Sequence, residues 1–157
     1  MAGSAAAGAL VTIGLLLGLS GAGASAPAGE RGEWEPWSAE RVAELRRAGQ
    51  PVFVDFTAAW CLTCQVNERV ALRDSDVQAR LRESGVVLLQ ADWTRRDARI
   101  TEALASHGRQ GVPLYVLYGD GPEPIVLPEI ITPGIVLEAL EGALGPARTS
   151  ANEAKSR

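Results

Sequence analysis

The chain has 157 residues, 46% of them hydrophobic, which allows one ordinary core with appendages and is too little for two. Its 19 acids and 15 bases are interleaved and leave a net charge of -4, so no basic face is offered to a nucleic acid and that class of partner is excluded.

In chain order the first feature is apolar. No charged side chain occurs between Ala2 and Gly29, and AGALVTIGLLLGLSGAGASA matches the roughly 20 residues that a bilayer-spanning helix needs. Residues 1–26 are therefore expected to form a transmembrane or signal-anchor helix. A cleaved secretory signal is the competing reading: Ala24 to Ala26 form an A-x-A-like site, but the leading MAGS lacks the usual Lys or Arg. Gly14 and Gly18 have the G-x-x-x-G spacing that lets helices approach closely, although in so glycine-rich a stretch a plain anchor is the preferred reading. Both readings export the residues after Gly29 into an oxidising compartment, where a cysteine pair is either structural or redox-active. The small and polar residues 27–33 read as a linker.

A folded domain is expected over residues 34–145. Ser38 can cap a helix carrying Val42 and Leu45, and Gly49 with Pro51 stops it. VFVDF, Val52 to Phe56, has the β-rich character of a buried strand. A helix should follow from about Cys61 to Val70, and DSDVQARLRESG predicts another short one. VVLLQAD from Val86 is a second buried strand, and a helix from Arg96 to His107 carries Ile100 and Leu104 before Gly108 closes it. LYVLY, the turn GDGP and PIVL predict a hairpin, and Thr132 with Pro133 opens a last helix to about Leu144. Residues 146–157 are polar and expected to be a disordered tail. This order of elements predicts an α/β fold with a central mixed sheet flanked by helices.

Both cysteines of the chain lie in DFTAAWCLTCQVNE. Cys61 would sit where the free N–H groups and the positive end of a helix stabilise a thiolate, which makes it the expected nucleophile. Cys64, nearly one turn on, can attack a mixed disulfide at Cys61 and release the reduced partner. Zinc wants four ligands, and with only His107 besides the two sulfurs the count fails. A purely structural bond across so small a loop gains little closure entropy. The pair is therefore read as a redox-active disulfide. Asp55, six residues before Cys61, would have its pKa raised if buried under the active-site helix, and it could then exchange a proton with Cys64; a solvated strand-end acid is the alternative. Glu68, four after Cys64, can face the same site or be an ordinary surface glutamate.

Leu62 and Thr63 bring no positive charge to the sulfurs, and two acids without a base favour the disulfide over the dithiol, so the reduced protein is expected to donate electrons. Trp60 would flank Cys61, and a cis Val112–Pro113 bond would leave the Val112 backbone beside the sulfurs to pair with an extended substrate. His107 reads as a dipole partner at a helix end, and Trp34, Trp37 and Trp93 as packing residues.

VFVDFTAAWCLTC resembles the active-site strand and helix of the thioredoxin family, whose buried acid, two cysteines and cis-proline match Asp55, Cys61, Cys64 and Pro113. A narrower resemblance, over about Trp34 to Leu144, is to the C-terminal periplasmic domain of the DsbD family of protein-disulfide reductases. It is carried by WCLTCQVNE with Glu68, LLQADWTRRD, HGRQGVPLYVLY and VLPEIITP. It implies a membrane-tethered domain at the bacterial inner membrane that faces the periplasm, or is released there if residues 1–26 are cleaved. Electrons would come from a membrane electron-transfer domain or protein and pass to oxidised thiol proteins. That family's membrane domain and N-terminal domain do not occur in this sequence, so a separate donor is expected; residues 1–26 resemble the last helix of that membrane domain. No metal, flavin or nicotinamide cofactor is expected, since the cysteine pair itself carries two electrons. Two other functions stay open: a thioredoxin-like reductase for cytochrome c maturation, and a non-catalytic peptide-binding module or holdase.

Overall fold

Val52, Phe53, Val54 and Phe56 are each at most 2% exposed, so both faces of their strand are covered and it must be central in its sheet. In the computed structural model, which describes residues 34–155 and only the backbone of 146–155, that strand is β2, Val52–Thr57. The segments 1–26 and 27–33, read as membrane helix and linker, lie outside the described residues. Among the described residues no helix is long and apolar enough to cross a membrane.

The other strands are β1 (Trp34–Pro36), β3 (Val87–Asp92), β4 (Leu114–Tyr118) and β5 (Ile125–Val126), in the order β1-β3-β2-β4-β5. β1 and β2 run parallel to β3, whereas β4 runs antiparallel to β2 and β5 antiparallel to β4, so the sheet is mixed as expected. β1 was not expected. It has only three residues, ends in Pro36 and shows no alternation, and the parallel pairing of Trp34 with Leu88 holds it.

The helices follow local sequence signals. α1 (Ala39–Arg47) starts where the Ser38 hydroxyl accepts from the Arg41 N–H, and Gly49 turns the chain out at φ 68°. α2 (Leu62–Asn67) widens into a π-helical turn over Glu68–Leu72, where one continuous α-helix was expected. Asp74 caps α3 (Ser75–Glu83) and Asp97 caps α4 (Ala98–Ser106), which begins two residues later than the sequence suggests. α5 (Pro133–Lys155) opens at Pro133 and breaks at Gly145, with φ 60° and ψ 166°; helical backbone then resumes across a stretch read from its composition as a tail. That stretch contains Ala, Glu and Lys, all good helix formers.

Alternation along the sheet divides the core. Phe53, Leu88, Tyr115 and Leu117 face α3, the π turn and α5, while Val52, Val54, Phe56, Leu89, Ala91, Leu114 and Val116 face α1 and α4. Burying each such large side chain contributes about 1.5–3 kcal/mol, which fixes the register and so fixes what else lies on each face. The three tryptophans read as packing residues do pack: Trp34 on Phe53, Trp37 on Phe56, and Trp93 at 6% exposure.

Candidate active site

β2 delivers the chain to the site. After Thr57 a short turn, in which the Cys61 N–H donates to the Ala58 carbonyl at 2.9 Å, places Cys61 at the N-cap of α2. The turn is braced from both sides: the Ala59 N–H donates to Thr94 Oγ1 at 2.8 Å, and Gln65 Nε2 donates to the Ala59 carbonyl at 2.8 Å. Cys61 and Cys64 form a disulfide. The Cys64 N–H donates to Cys61 Sγ at 3.1 Å, a contact that stabilises charge on this sulfur whenever the bond is open. Cys61 is 6% exposed and Cys64 3%, and the chain neighbours of Cys61 stand out into solvent, Trp60 at 50% and Leu62 at 76% exposure.

Asp55 lies on the face of β2 that α3, the π turn and α5 cover, paired with Gln90 on β3 and Tyr115 on β4. It is buried. Gln90 Nε2 donates to Asp55 Oδ2 at 3.4 Å, while Oδ1 has no protein partner. Burial pushes its carboxyl up to about 7, the nearby Glu68 charge pushes the same way, and the Gln90 hydrogen bond opposes both. At 4% exposure Asp55 is not the solvated strand-end acid of the alternative reading. Glu68 starts the π turn and is half-exposed, held by Arg73 at 2.6 Å and 3.1 Å. It is thus both a surface ion-pair partner and a charge felt by Asp55.

Three residues of this site were not singled out from the sequence: Gln90, Tyr115 and Asn67. Asn67 is 2% exposed at the end of α2. Its Nδ2 donates to the Tyr115 hydroxyl at 3.0 Å and to the Glu129 carbonyl at 2.7 Å, and its Oδ1 accepts from the Ile131 N–H at 3.4 Å. These bonds pin the cysteine helix to β4 and to the chain after β5. Tyr115 stacks on Phe53, and its phenol is pushed up by burial first and by the Asp55 charge second. A signal for Asn67 existed: it stands three after Cys64 and four before Ala71, on the buried stripe of the helix.

The Val112–Pro113 bond is cis, and Val112 packs against the cluster of Ala58, Cys61 and Cys64. Trp60 flanks Cys61 and donates from Nε1 to the Thr94 carbonyl at 3.2 Å. Its ring lies 6.0 Å from that of Trp93, and the Arg96 guanidinium sits over both, 5.8 Å and 5.4 Å from their centroids. Arg96 has φ 56°, in the left-handed region. That conformation costs a side-chain-bearing residue about 1–2 kcal/mol. Two exposed cation–π contacts give about 0.5–1 kcal/mol each, so for folding the arrangement is close to neutral.

His107 does not join the site. It caps α4, touches the Tyr118 hydroxyl at 3.4 Å and packs edge-on to Phe56. It therefore sits at the helix end where the sequence put it, and burial pushes its pKa down. Among the described residues no three His, Cys, Asp or Glu side chains cluster where they could hold a metal.

The profile of a family described as Thioredoxin-like matches residues 33–119. Among curated proteins, the thiol:disulfide interchange protein DsbD 1 of Pseudomonas aeruginosa is 34% identical over 100 residues, covering 60% of this chain and 17% of that protein. DsbD of Vibrio vulnificus is 38% identical over 74 residues, covering 47% and 12%. The chain thus matches less than a fifth of the length of these relatives. Among solved structures, the oxidised C-terminal domain of Neisseria meningitidis DsbD has a TM-score of 0.57 at 20% identity, covering 71% of this chain and 99% of that one. A thioredoxin from Thermus thermophilus has a TM-score of 0.56 at 22% identity, covering 70% and 85%. Likenesses at such identity speak to the fold alone.

Proposed function

The chain belongs to the thioredoxin-like family and is a thiol–disulfide oxidoreductase, and from that premise we propose that it works as a protein-disulfide reductase. The observation that carries this reading is the buried Asp55, with one carboxylate oxygen free of protein partners, on the sheet face that the cysteine helix closes.

In the proposed cycle the Cys61 thiolate attacks one sulfur of a partner disulfide, forming a mixed disulfide and releasing the partner's other sulfur as a thiolate. Cys64 then gives its proton to Asp55, attacks Cys61 Sγ, re-forms the internal disulfide and releases the second partner sulfur. The partner gains two electrons; Asp55 returns its proton to the second departing sulfur, and the first partner thiolate takes its proton from water. A carboxyl near 7 is half-ionised at neutral pH, which suits an acid that must take and return a proton. Glu68 assists by holding Asp55 up, and Trp60 with the Val112–Pro113 loop borders the groove in which an extended partner segment lies. No metal, flavin or nicotinamide enters the cycle, and a separate donor re-reduces the pair.

The finer reading comes from the DsbD likeness. Residues 1–26 tether the domain to the bacterial inner membrane, the domain faces the periplasm, a membrane electron-transfer domain or protein supplies electrons, and oxidised periplasmic thiol proteins receive them. The test is reduction of a disulfide-bonded protein by the wild type, Cys61→Ala and Cys64→Ala. Both substitutions should abolish turnover, and Cys64→Ala should trap the partner covalently. Undiminished turnover by either variant refutes the reductase, and binding without turnover by the wild type would leave a holdase.

A further inference from the structure

We propose that Arg96, seated on Trp60 and Trp93 beside Cys61, makes the rim of this site a subsite for carboxylates, so that partner disulfides flanked by acidic residues are reduced in preference to those flanked by basic ones. The inference rests on the reductase reading and concerns which disulfides that same pair selects. As in that cycle, the dithiol passes two electrons to the partner disulfide, which takes its protons from Asp55 and from water.

Several observations converge on Arg96. Its backbone conformation favours glycine or asparagine, yet the chain places a long cation there. The cation–π contacts offset the backbone cost without exceeding it, so folding does not account for the choice, and a local rule broken without a gain in stability points to the side chain's use. The guanidinium is fixed in place: Trp93 is buried and donates from Nε1 to Thr101 Oγ1 at 2.8 Å, while Trp60 is tied to the Thr94 carbonyl. Arg96 has no carboxylate partner among the described residues. The acids nearest in sequence are occupied, Asp92 by the N–H and hydroxyl of Thr94, and Asp97 by the N–H and guanidinium of Arg99. The neighbouring Arg95 is also exposed.

The two chain neighbours of Cys61 are thus the exposed, apolar Leu62 and an exposed indole topped by a positive charge with spare donors. Guanidinium donors match carboxylate geometry, and stacking on an indole leaves their edges free to bind one. The chain as a whole is acidic, so long-range attraction does not bring an acidic partner in. Selection must act within about 8 Å, the screening length at physiological salt, and so at this rim.

Three synthetic peptides serve as probes, each with one intrachain disulfide flanked by two Glu, two Lys or two Gly residues, reacted with the reduced protein while the thiols released on the peptide are followed by mass spectrometry. At low salt the Glu peptide should react about five- to tenfold faster than the Lys peptide, and added salt should shrink that ratio. Arg96→Lys, which keeps the charge but not the planar donors, should keep only part of the preference, whereas Arg96→Asn, which suits the left-handed backbone, should bring the ratio close to one. Equal rates for the Glu and Lys peptides in the wild type, or a ratio that Arg96→Asn leaves intact, overturn the inference while the reductase reading stands. If none of the three peptides is reduced, both fall.

Discussion

Replacing Asp55 by Asn should make the oxidised protein more stable at alkaline pH and leave it nearly unchanged in acid. Unfolded, the carboxyl titrates near 3.8; folded, burial raises it to about 7. Between these values the folded state holds a proton that the unfolded state has released, so stability falls as pH rises through the window from about 4 to 7. At 1.36 kcal/mol per pH unit, the full penalty above pH 7 is on the order of 4 kcal/mol, an upper bound because the asparagine amide must also be desolvated. Asn can still accept from Gln90 Nε2, so that hydrogen bond survives. The assay is guanidinium unfolding of the oxidised wild type and Asp55→Asn at steps from pH 4 to pH 8. The difference should grow from near zero to a few kcal/mol in favour of the variant. His107, whose pKa burial pushes down, is common to both proteins and cancels. A pH-independent difference, or a variant less stable at pH 8, would refute a buried acid forced to ionise.

Other substitutions probe the supports of the site. Asn67→Ala strands the buried Tyr115 hydroxyl and the Glu129 carbonyl and should cost about 1–3 kcal/mol in chemical unfolding. Glu68→Gln removes a charge that raises Asp55, so the midpoint of the stability-versus-pH profile should move to lower pH; its exposed pair with Arg73 contributes at most about 1 kcal/mol, so overall stability should change little. Gly119→Ala would put a Cβ 2.1 Å from the Ala143 carbonyl oxygen and should lower stability by about 1–3 kcal/mol, read from the unfolding midpoint.

Much of this was readable in the chain because local rules and tertiary demands agree. Ser38, Gly49, Gly108 and Pro133 bound their helices as capping chemistry dictates, and the apolar run around Asp55 marked a strand covered on both faces. An acid inside such a run is either buried or misplaced, which is why Asp55 could be suspected from its neighbours. What could not be read is what long-range pairing creates. Gln90 and Tyr115 become neighbours of Asp55 only through β-sheet register. Asn67 resembles a surface residue until its place on the buried stripe is counted, and its partner Tyr115 lies 48 residues away. The wide π turn after Asn67 and the strand at Trp34 leave no periodic trace. The positive φ at Arg96 contradicts local preference, so propensity hides it.

The direction of electron flow is measured most directly by the reduction potential of the Cys61–Cys64 pair, equilibrated against glutathione or dithiothreitol and read by alkylation of the free thiols. A reductase with two acids near its sulfurs should lie below about -200 mV, on the side where thioredoxins lie. A value near about -120 mV, that of a strong disulfide-forming oxidant, would contradict the account.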